Sequence, residues 1–124
     1  MDTMIAILIP VLVQVESGGD SNAYNSAENA AGILQIRPIY LQDVNRIIGK
    51  EAYSLNERFN PEKSAQMVRI YLTHYGKRYK RITGKPATLE ILARIHNGGP
   101  DGWKKISTAA YAAKVKSIYE EKKQ

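Results

Sequence analysis

NPEKSAQMVRIYLTHYGKRY, residues 60–79, carries the marks of an amphipathic helix at both the cap and the face. Asn60 suits the N-cap, Pro61 the first turn, and Glu62 complements the positive end of the helix dipole. Ala65, Val68, Leu72 and Tyr75 then recur at spacings of three, four and three, one face of a 3.6-residue period. This helix is expected to run to about Tyr79.

The flanking sequence reads the same way. Downstream, Thr88 is read as the cap of a helix from Leu89 to about Ile95, stopped by Asn97-Gly98-Gly99-Pro100. Thr108 is read as the cap of a last helix with Tyr111, Val115 and Ile118 on one face. Upstream, Pro38 opens a helix that runs to about Ile48 and is closed by Gly49. The first helix spans residues 3–16 and is read as buried, with Pro10 kinking or restarting it. Between the first two lies SGGDSNAYNSAENAAG, residues 17–32, whose Ser, Asn and Gly favour turns. We read it as a long irregular loop with room for a small hairpin, followed by a short turn at residues 32–36. A loop this long in a compact domain usually carries function. No run alternates with period two, so the fold class is mainly α.

Length and composition agree. The chain has 124 residues, 44% of them apolar and 24% charged, with no cysteine. That supports one domain over residues 1–124 with a real core, and argues against intrinsic disorder. Disulfide scaffolds, zinc fingers and thiol nucleophiles are excluded. Met4 to Val13 is nearly all apolar but only ten residues long, against ~18 or more for a membrane span. Asp2 precedes it where a secretory signal would carry Lys or Arg, so no export signal is read in this chain.

Charge is lopsided. Residues 1–60 hold 4 basic and 7 acidic side chains; residues 61–124 hold 14 and 5, within a net charge of +6. Lys77, Arg78, Lys80, Arg81 and Lys85 fall within nine positions. This balance favours polyanions such as nucleic acid, acidic lipid or anionic wall glycan, and a merely solvated helix end is the equal competing reading.

Glu16 is the strongest candidate for chemistry. On a helix, Ile5, Ile9, Leu12 and Glu16 share one stripe, which sets a carboxyl at the end of an apolar face. A carboxyl beside hydrocarbon has its charged form disfavoured, and a proton held near neutral pH is what a general acid needs. The competing reading is a helix Glu that reaches solvent or pairs with a base.

Glu16-Ser17-Gly18-Gly19, Ala31-Gly32-Ile33-Leu34-Gln35-Ile36 and His96-Asn97-Gly98-Gly99-Pro100, with Asn60-Pro61-Glu62 and Thr108-Ala109-Ala110-Tyr111, occur in one order along the chain. In order and spacing these words resemble the lytic transglycosylase (SLT-type) branch of the lysozyme superfamily, over roughly residues 5–118. The resemblance implies a lysozyme-like single domain that cleaves the β-1,4 bond between N-acetylmuramic acid and N-acetylglucosamine in peptidoglycan. It makes Glu16 the catalytic acid/base, and sets Ser17, Gln35, His96, Asn97 and Tyr111 at the substrate. It implies no cofactor and no metal, glycan strands as the partner, a monomer, and action at the bacterial cell wall by a periplasmic, secreted or phage-delivered route.

There are departures from the family pattern. His96 stands where these enzymes have Tyr, Ser64 where they have Asn after Asp-Pro-Glu-x, and Ser107 where they have Glu. Ala93-Arg94-Ile95-His96-Asn97-Gly98-Gly99-Pro100 looks more like invertebrate-type lysozymes, which depend on cysteines absent here. Hydrolysis is therefore a live outcome.

Mechanism turns on a second carboxylate. Retaining and inverting glycosidases hold two carboxyls ~5–5.5 Å or ~6.5–9.5 Å apart. Asp20 and Glu28 are the candidates; Asp20 is only four residues on from Glu16, and the stretch around Glu28 does not resemble the Asp-bearing sequence of lysozymes, so one working carboxyl is favoured. The substrate's own N-acetyl group is then the nucleophile and a 1,6-anhydromuramyl end the product.

The remaining features read as structure. Tyr71, Tyr75 and Tyr79, at i, i+4 and i+8, are a core stripe rather than a sugar platform, and Trp103 is a cap over the core. His74 is an ordinary side chain, and His74 and His96 are too far apart in sequence for a metal site. Two rival classes remain, a peptidoglycan-binding module without activity and a basic nucleic-acid-binding domain. Intact Glu16 argues against the first. The second leaves the Gly-Ile-Leu-Gln-Ile word unexplained and lacks a helix-turn-helix with a basic second helix, so no specific nucleic acid is expected.

Overall fold

The computed structural model describes residues 1–123. Five α-helices carry most of the chain: α1 (Asp2–Glu16), α2 (Pro38–Ile48), α3 (Pro61–Thr83), α4 (Leu89–Gly98) and α5 (Ala109–Lys123). The loop after α1 contains a hairpin of two two-residue strands, β1 (Tyr24–Asn25) and β2 (Ala30–Ala31), antiparallel with Tyr24 opposite Ala31 and Asn25 opposite Ala30. Three 3-10 turns, Leu55–Phe59, Gly102–Lys104 and Ile106–Thr108, complete it. The mainly α expectation holds.

Several boundaries differ from the sequence reading. The α3 helix continues one turn past Tyr79 to Thr83, with Lys80 and Arg81 in its last turn, where cations complement the negative end of the dipole. The α4 helix runs three residues past Ile95, so His96 and Asn97 stand on a helix and not in the turn after it; the Gly99 N–H closes it on the Ile95 carbonyl at 2.9 Å. The α1 helix passes through Pro10 without a break. Pro10 is exposed, so the carbonyl that loses its partner there can be met by water. Nor is α1 buried all round: Ile5, Leu8 and Leu12 are sealed, while Ala6, Ile7 and Pro10 face solvent.

Two caps formed as read and one did not. Asn60 Oδ1 accepts from the Lys63 N–H, and Thr88 Oγ1 from the Ile91 N–H. Thr108 precedes α5 as expected but spends its hydroxyl elsewhere: Oγ1 lies within donating reach of the Gly102 and Lys105 carbonyls and accepts from Arg94 Nε.

The chain packs as two compact units, residues 13–71 and residues 1–12 with 72–123. In residues 13–71 the core is Leu34, Ile36, Val44, Met67 and Val68, all fully buried, with the Tyr40 ring stacked on Tyr71 at 3.7 Å. In the other unit Leu8, Leu72, Leu92, Ile95 and Val115 are fully buried, and α4 packs on α5. Tyr75 is buried, and the Tyr79 ring meets Trp103 edge-on at 5.1 Å. The tyrosine stripe and Trp103 are thus core and its cover, as read. His74 is half-buried with its ring edge-on to Tyr75.

Candidate active site

Glu16 is the last residue of α1 and is half-buried. It comes after the buried stripe Ile5, Ile9 and Leu12, the register expected from the sequence. No basic residue lies in the last turn of α1.

Ser17 anchors the chain as it leaves α1. Its Oγ donates to the Ile33 carbonyl at 2.9 Å and accepts from the Gly19 N–H at 3.1 Å. The residue next to Glu16 is therefore fastened to the turn that opens at Gly32. That turn is closed by a reciprocal pair of backbone bonds: Ala31 N–H to the Ile36 carbonyl at 3.1 Å, and Ile36 N–H to the Ala31 carbonyl at 3.0 Å.

Gln35 sits inside the turn at φ +52°, a left-handed conformation that costs a side-chain-bearing residue about 1–2 kcal/mol. Its Nε2 donates to the Gly32 carbonyl at 3.0 Å and to the Ala23 carbonyl at 3.2 Å, across the loop. The amide nitrogen is thus used internally, and Oε1 is the acceptor end of the side chain.

The main structural residue here escaped the sequence reading. Arg58 is 5% exposed. Its Nη1 donates to the Asn29 carbonyl at 2.7 Å and the Ile36 carbonyl at 2.9 Å, and its Nε to the Leu55 carbonyl at 2.9 Å. One guanidinium therefore joins the hairpin, the turn before α2 and the 3-10 turn before α3. Burial pulls its pKa below the ordinary arginine value, with Tyr24 acting in the opposite direction. The partners lie up to 29 residues away in sequence, so no local pattern could have marked Arg58. Ser64, one of the departures from the family pattern, is fully buried and donates to the Arg58 carbonyl at 2.7 Å.

The two other carboxylates of the loop are surface groups. Asp20 is exposed and its Oδ1 accepts from the Asn22 N–H at 2.9 Å, a local turn. Glu28 is exposed beside the hairpin turn, with Oε2 3.4 Å from Asn25 Nδ2.

The remaining sequence candidates lie in the other unit. His96 is buried and Asn97 half-buried on α4; Tyr111 is half-buried on α5. A knot around Thr108 ties α4 to the turn before α5: Arg94 Nε donates to Oγ1 at 2.8 Å and Nη2 to the Lys105 carbonyl at 2.6 Å. Gly102 makes that knot possible, since a Cβ there would stand 2.1 Å from the Arg94 carbonyl oxygen. The structure thus gathers Glu16, Ser17 and Gln35 in residues 13–71, and His96, Asn97 and Tyr111 in the second unit.

In the basic cluster, Arg78 is engaged: Nη1 lies 3.0 Å from the Pro100 carbonyl and 3.1 Å from Asp101 Oδ1. Lys77, Lys80, Arg81 and Lys85 are exposed. Among the described residues, no group of three or more His, Asp or Glu is placed to hold a metal ion, and no helix is long and apolar enough to cross a membrane.

Five helices, a short hairpin after the first, and a Glu at the end of that first helix define a lysozyme-like domain. The chain belongs to the transglycosylase SLT domain family, whose model it matches over residues 3–118. It is 38% identical over 93 residues to a lysozyme of Magallana gigas, covering 74% of this chain and 62% of that protein. It is 40% identical over 55 residues to a lysozyme of Meretrix lusoria, covering 44% of this chain and 45% of that protein. The chain therefore spans less than two-thirds of the length of these relatives. A chain from the crystal structure of Aeromonas hydrophila PliI in complex with Meretrix lusoria lysozyme matches with a TM-score of 0.74 at 27% identity, covering 90% of this chain and 88% of that one.

Proposed function

We propose that this chain cleaves the β-1,4 bond between N-acetylmuramic acid and N-acetylglucosamine in peptidoglycan, with Glu16 as its single acid/base. The observation that carries the reading is the fixed, half-buried position of Glu16 at the end of α1, with Ser17 fastened to the Ile33 carbonyl beside it. Membership of the transglycosylase SLT domain family supports it. Exposure of both Asp20 and Glu28 supports one working carboxyl.

The chemistry then runs in two steps. The Glu16 carboxyl gives its proton to the glycosidic oxygen as the bond from the muramyl C1 breaks. The carbonyl oxygen of the substrate's own N-acetyl group bonds to C1 and balances the developing charge. Glu16, now a carboxylate, takes the proton of the sugar's 6-hydroxyl as that oxygen attacks C1 and displaces the acetamido oxygen. Glu16 ends protonated, and the product is a 1,6-anhydromuramyl end. Ser17 holds the end of α1 in place; Gln35 Oε1 accepts from a sugar hydroxyl or amide. His96, Asn97 and Tyr111 bind the glycan from α4 and α5. The chain acts as a monomer at the bacterial cell wall and needs no cofactor.

A second reading has its own support, since the relatives from Magallana gigas and Meretrix lusoria are both lysozymes. There water, and not the 6-hydroxyl, attacks C1, and the same Glu16 serves as acid.

The test is clearance of a purified peptidoglycan suspension by carboxylate variants. Asp20→Asn keeps the acceptor for the Asn22 N–H, and Glu28→Gln changes an exposed side chain. Each is expected to retain activity within about tenfold of wild type, far from the ~10²–10⁴-fold that general acid–base catalysis supplies. A loss at either matching that of Glu16→Gln assigns a second working carboxylate and overturns the single-Glu mechanism.

A further inference from the structure

We propose that Ile82 and Ile106, with the cations beside each, form a docking surface for an anionic lipid bilayer. Ile106 is 93% exposed and Ile82 54% exposed. Single exposed apolar residues are ordinary on a protein surface. These two share a setting: exposed Lys80 and Arg81 precede Ile82, and exposed Lys104 and Lys105 precede Ile106, with Lys104 Nζ over the Trp103 ring and Lys105 Nζ donating to the Gly98 carbonyl at 2.7 Å.

The two segments are tied together. Arg78 Nη1 grips the Pro100 carbonyl and Asp101, and the next residue, Tyr79, meets Trp103 edge-on. Ile82 stands at i+4 and i+3 from those two residues, so it lies one turn further along the same side of α3. Ile106 comes three residues after Trp103, in the 3-10 turn Ile106–Thr108. The pinned junction thus carries one exposed isoleucine on each arm.

Charge complementarity sets the sign of the partner. Residues 1–12 with 72–124 hold twelve basic and five acidic side chains, whereas residues 13–71 hold six and seven. Lys77, Lys80, Arg81 and Lys85 have no ion-pair partner among the described residues. Such a surface attracts polyanions in general. A soluble anionic polymer, however, leaves both isoleucines in water. A bilayer buries them at its headgroup boundary while lysine and arginine stems lie along the surface with their charges in the headgroups. The combination of aliphatic tips and cations therefore favours lipid.

The test is co-sedimentation with vesicles of mixed phosphatidylglycerol and phosphatidylcholine, and of phosphatidylcholine alone, at low and high salt. Wild type is expected to pellet with the anionic vesicles and not with the neutral ones. Ile82→Ser with Ile106→Ser, both exposed positions, should weaken binding about tenfold or more. Thermal unfolding should stay at the wild-type value. Lys80→Gln with Arg81→Gln should weaken binding and flatten its salt dependence, because surface charges are screened within ~8 Å at physiological ionic strength. Glu16→Gln should bind vesicles like wild type, which keeps this result separate from the catalytic reading. The proposal is overturned by equal binding of the isoleucine variant and wild type, which assigns a purely electrostatic site for a soluble polyanion. Equal binding to neutral vesicles, or none to either kind, overturns it as well.

Discussion

Replacing Glu16 by Gln should abolish glycan cleavage and leave the fold intact. The amide matches the carboxyl in shape and fits a half-buried position at the end of α1, but it has no acidic proton to deliver and cannot later accept one. General acid–base catalysis contributes ~10²–10⁴-fold, so clearance of a peptidoglycan suspension should fall by at least the lower figure. Binding of the variant to insoluble peptidoglycan should persist, because the proposed glycan contacts lie on Gln35, His96, Asn97 and Tyr111. A well-folded Gln variant with wild-type clearance would falsify the assignment. Inactivity of the wild type alongside retained binding would instead make the chain a peptidoglycan-binding module.

The largest structural effect is expected at Gly32. Its φ is +84°, and a Cβ there would stand 1.8 Å from the Arg58 carbonyl oxygen and 3.4 Å from Ser64 Oγ. The first is a backbone atom, itself held by the Ser64 hydroxyl, so it cannot swing away like a flexible side-chain end. Left-handed strain and overpacking together make Gly32→Ala costly by about 2–5 kcal/mol. The damage should be local first, because the same glycine donates its N–H to the Ala23 carbonyl at 2.8 Å and lends its carbonyl to Gln35. Chemical denaturation should report the lost stability. Gly49→Ala is the comparison: its φ is +90° but nothing lies within 4 Å of the added Cβ, so strain acts there without a clash. An equal loss at both positions would mean that the Arg58 contact is worth nothing.

The helices were legible wherever the chain punctuates itself. Pro38 and Gly49 bracket α2 at the residues expected, and Asn60 and Thr88 cap the next two helices through their own side chains. Elsewhere the reading ended helices too early: α3 continues to Thr83, where Gly84 at φ +76° follows it, and α4 carries His96 and Asn97 on its last turn before Gly99. The small hairpin needed only Ser, Asn and Gly in the loop. The 3-10 turns went unread, although Leu55–Phe59 carries a signal in Ser54 and Glu57, which form a capping box.

At the proposed site, the place of Glu16 at the end of α1 was legible from helix periodicity. The roles of its neighbours were not. Ser17 and Gln35 spend hydrogen bonds on backbone carbonyls across the loop, and Arg58 and Ser64 hold that loop through contacts as far apart as Arg58 and the Asn29 carbonyl, 29 residues away. Such bonds arise in the packed chain, where buried carbonyls must find donors, and no single segment encodes them.

The measurement that bears most directly on the proposed reaction is the mass of the muropeptides released from purified peptidoglycan. Transfer to the 6-hydroxyl leaves a 1,6-anhydromuramyl end one water lighter than the reducing end left by hydrolysis. Wild type is expected to release the lighter species, and Glu16→Gln to release neither. Reducing-end muropeptides alone, at the wild-type rate, would contradict transfer and make the chain a hydrolase, while the absence of any released muropeptide would contradict cleavage itself.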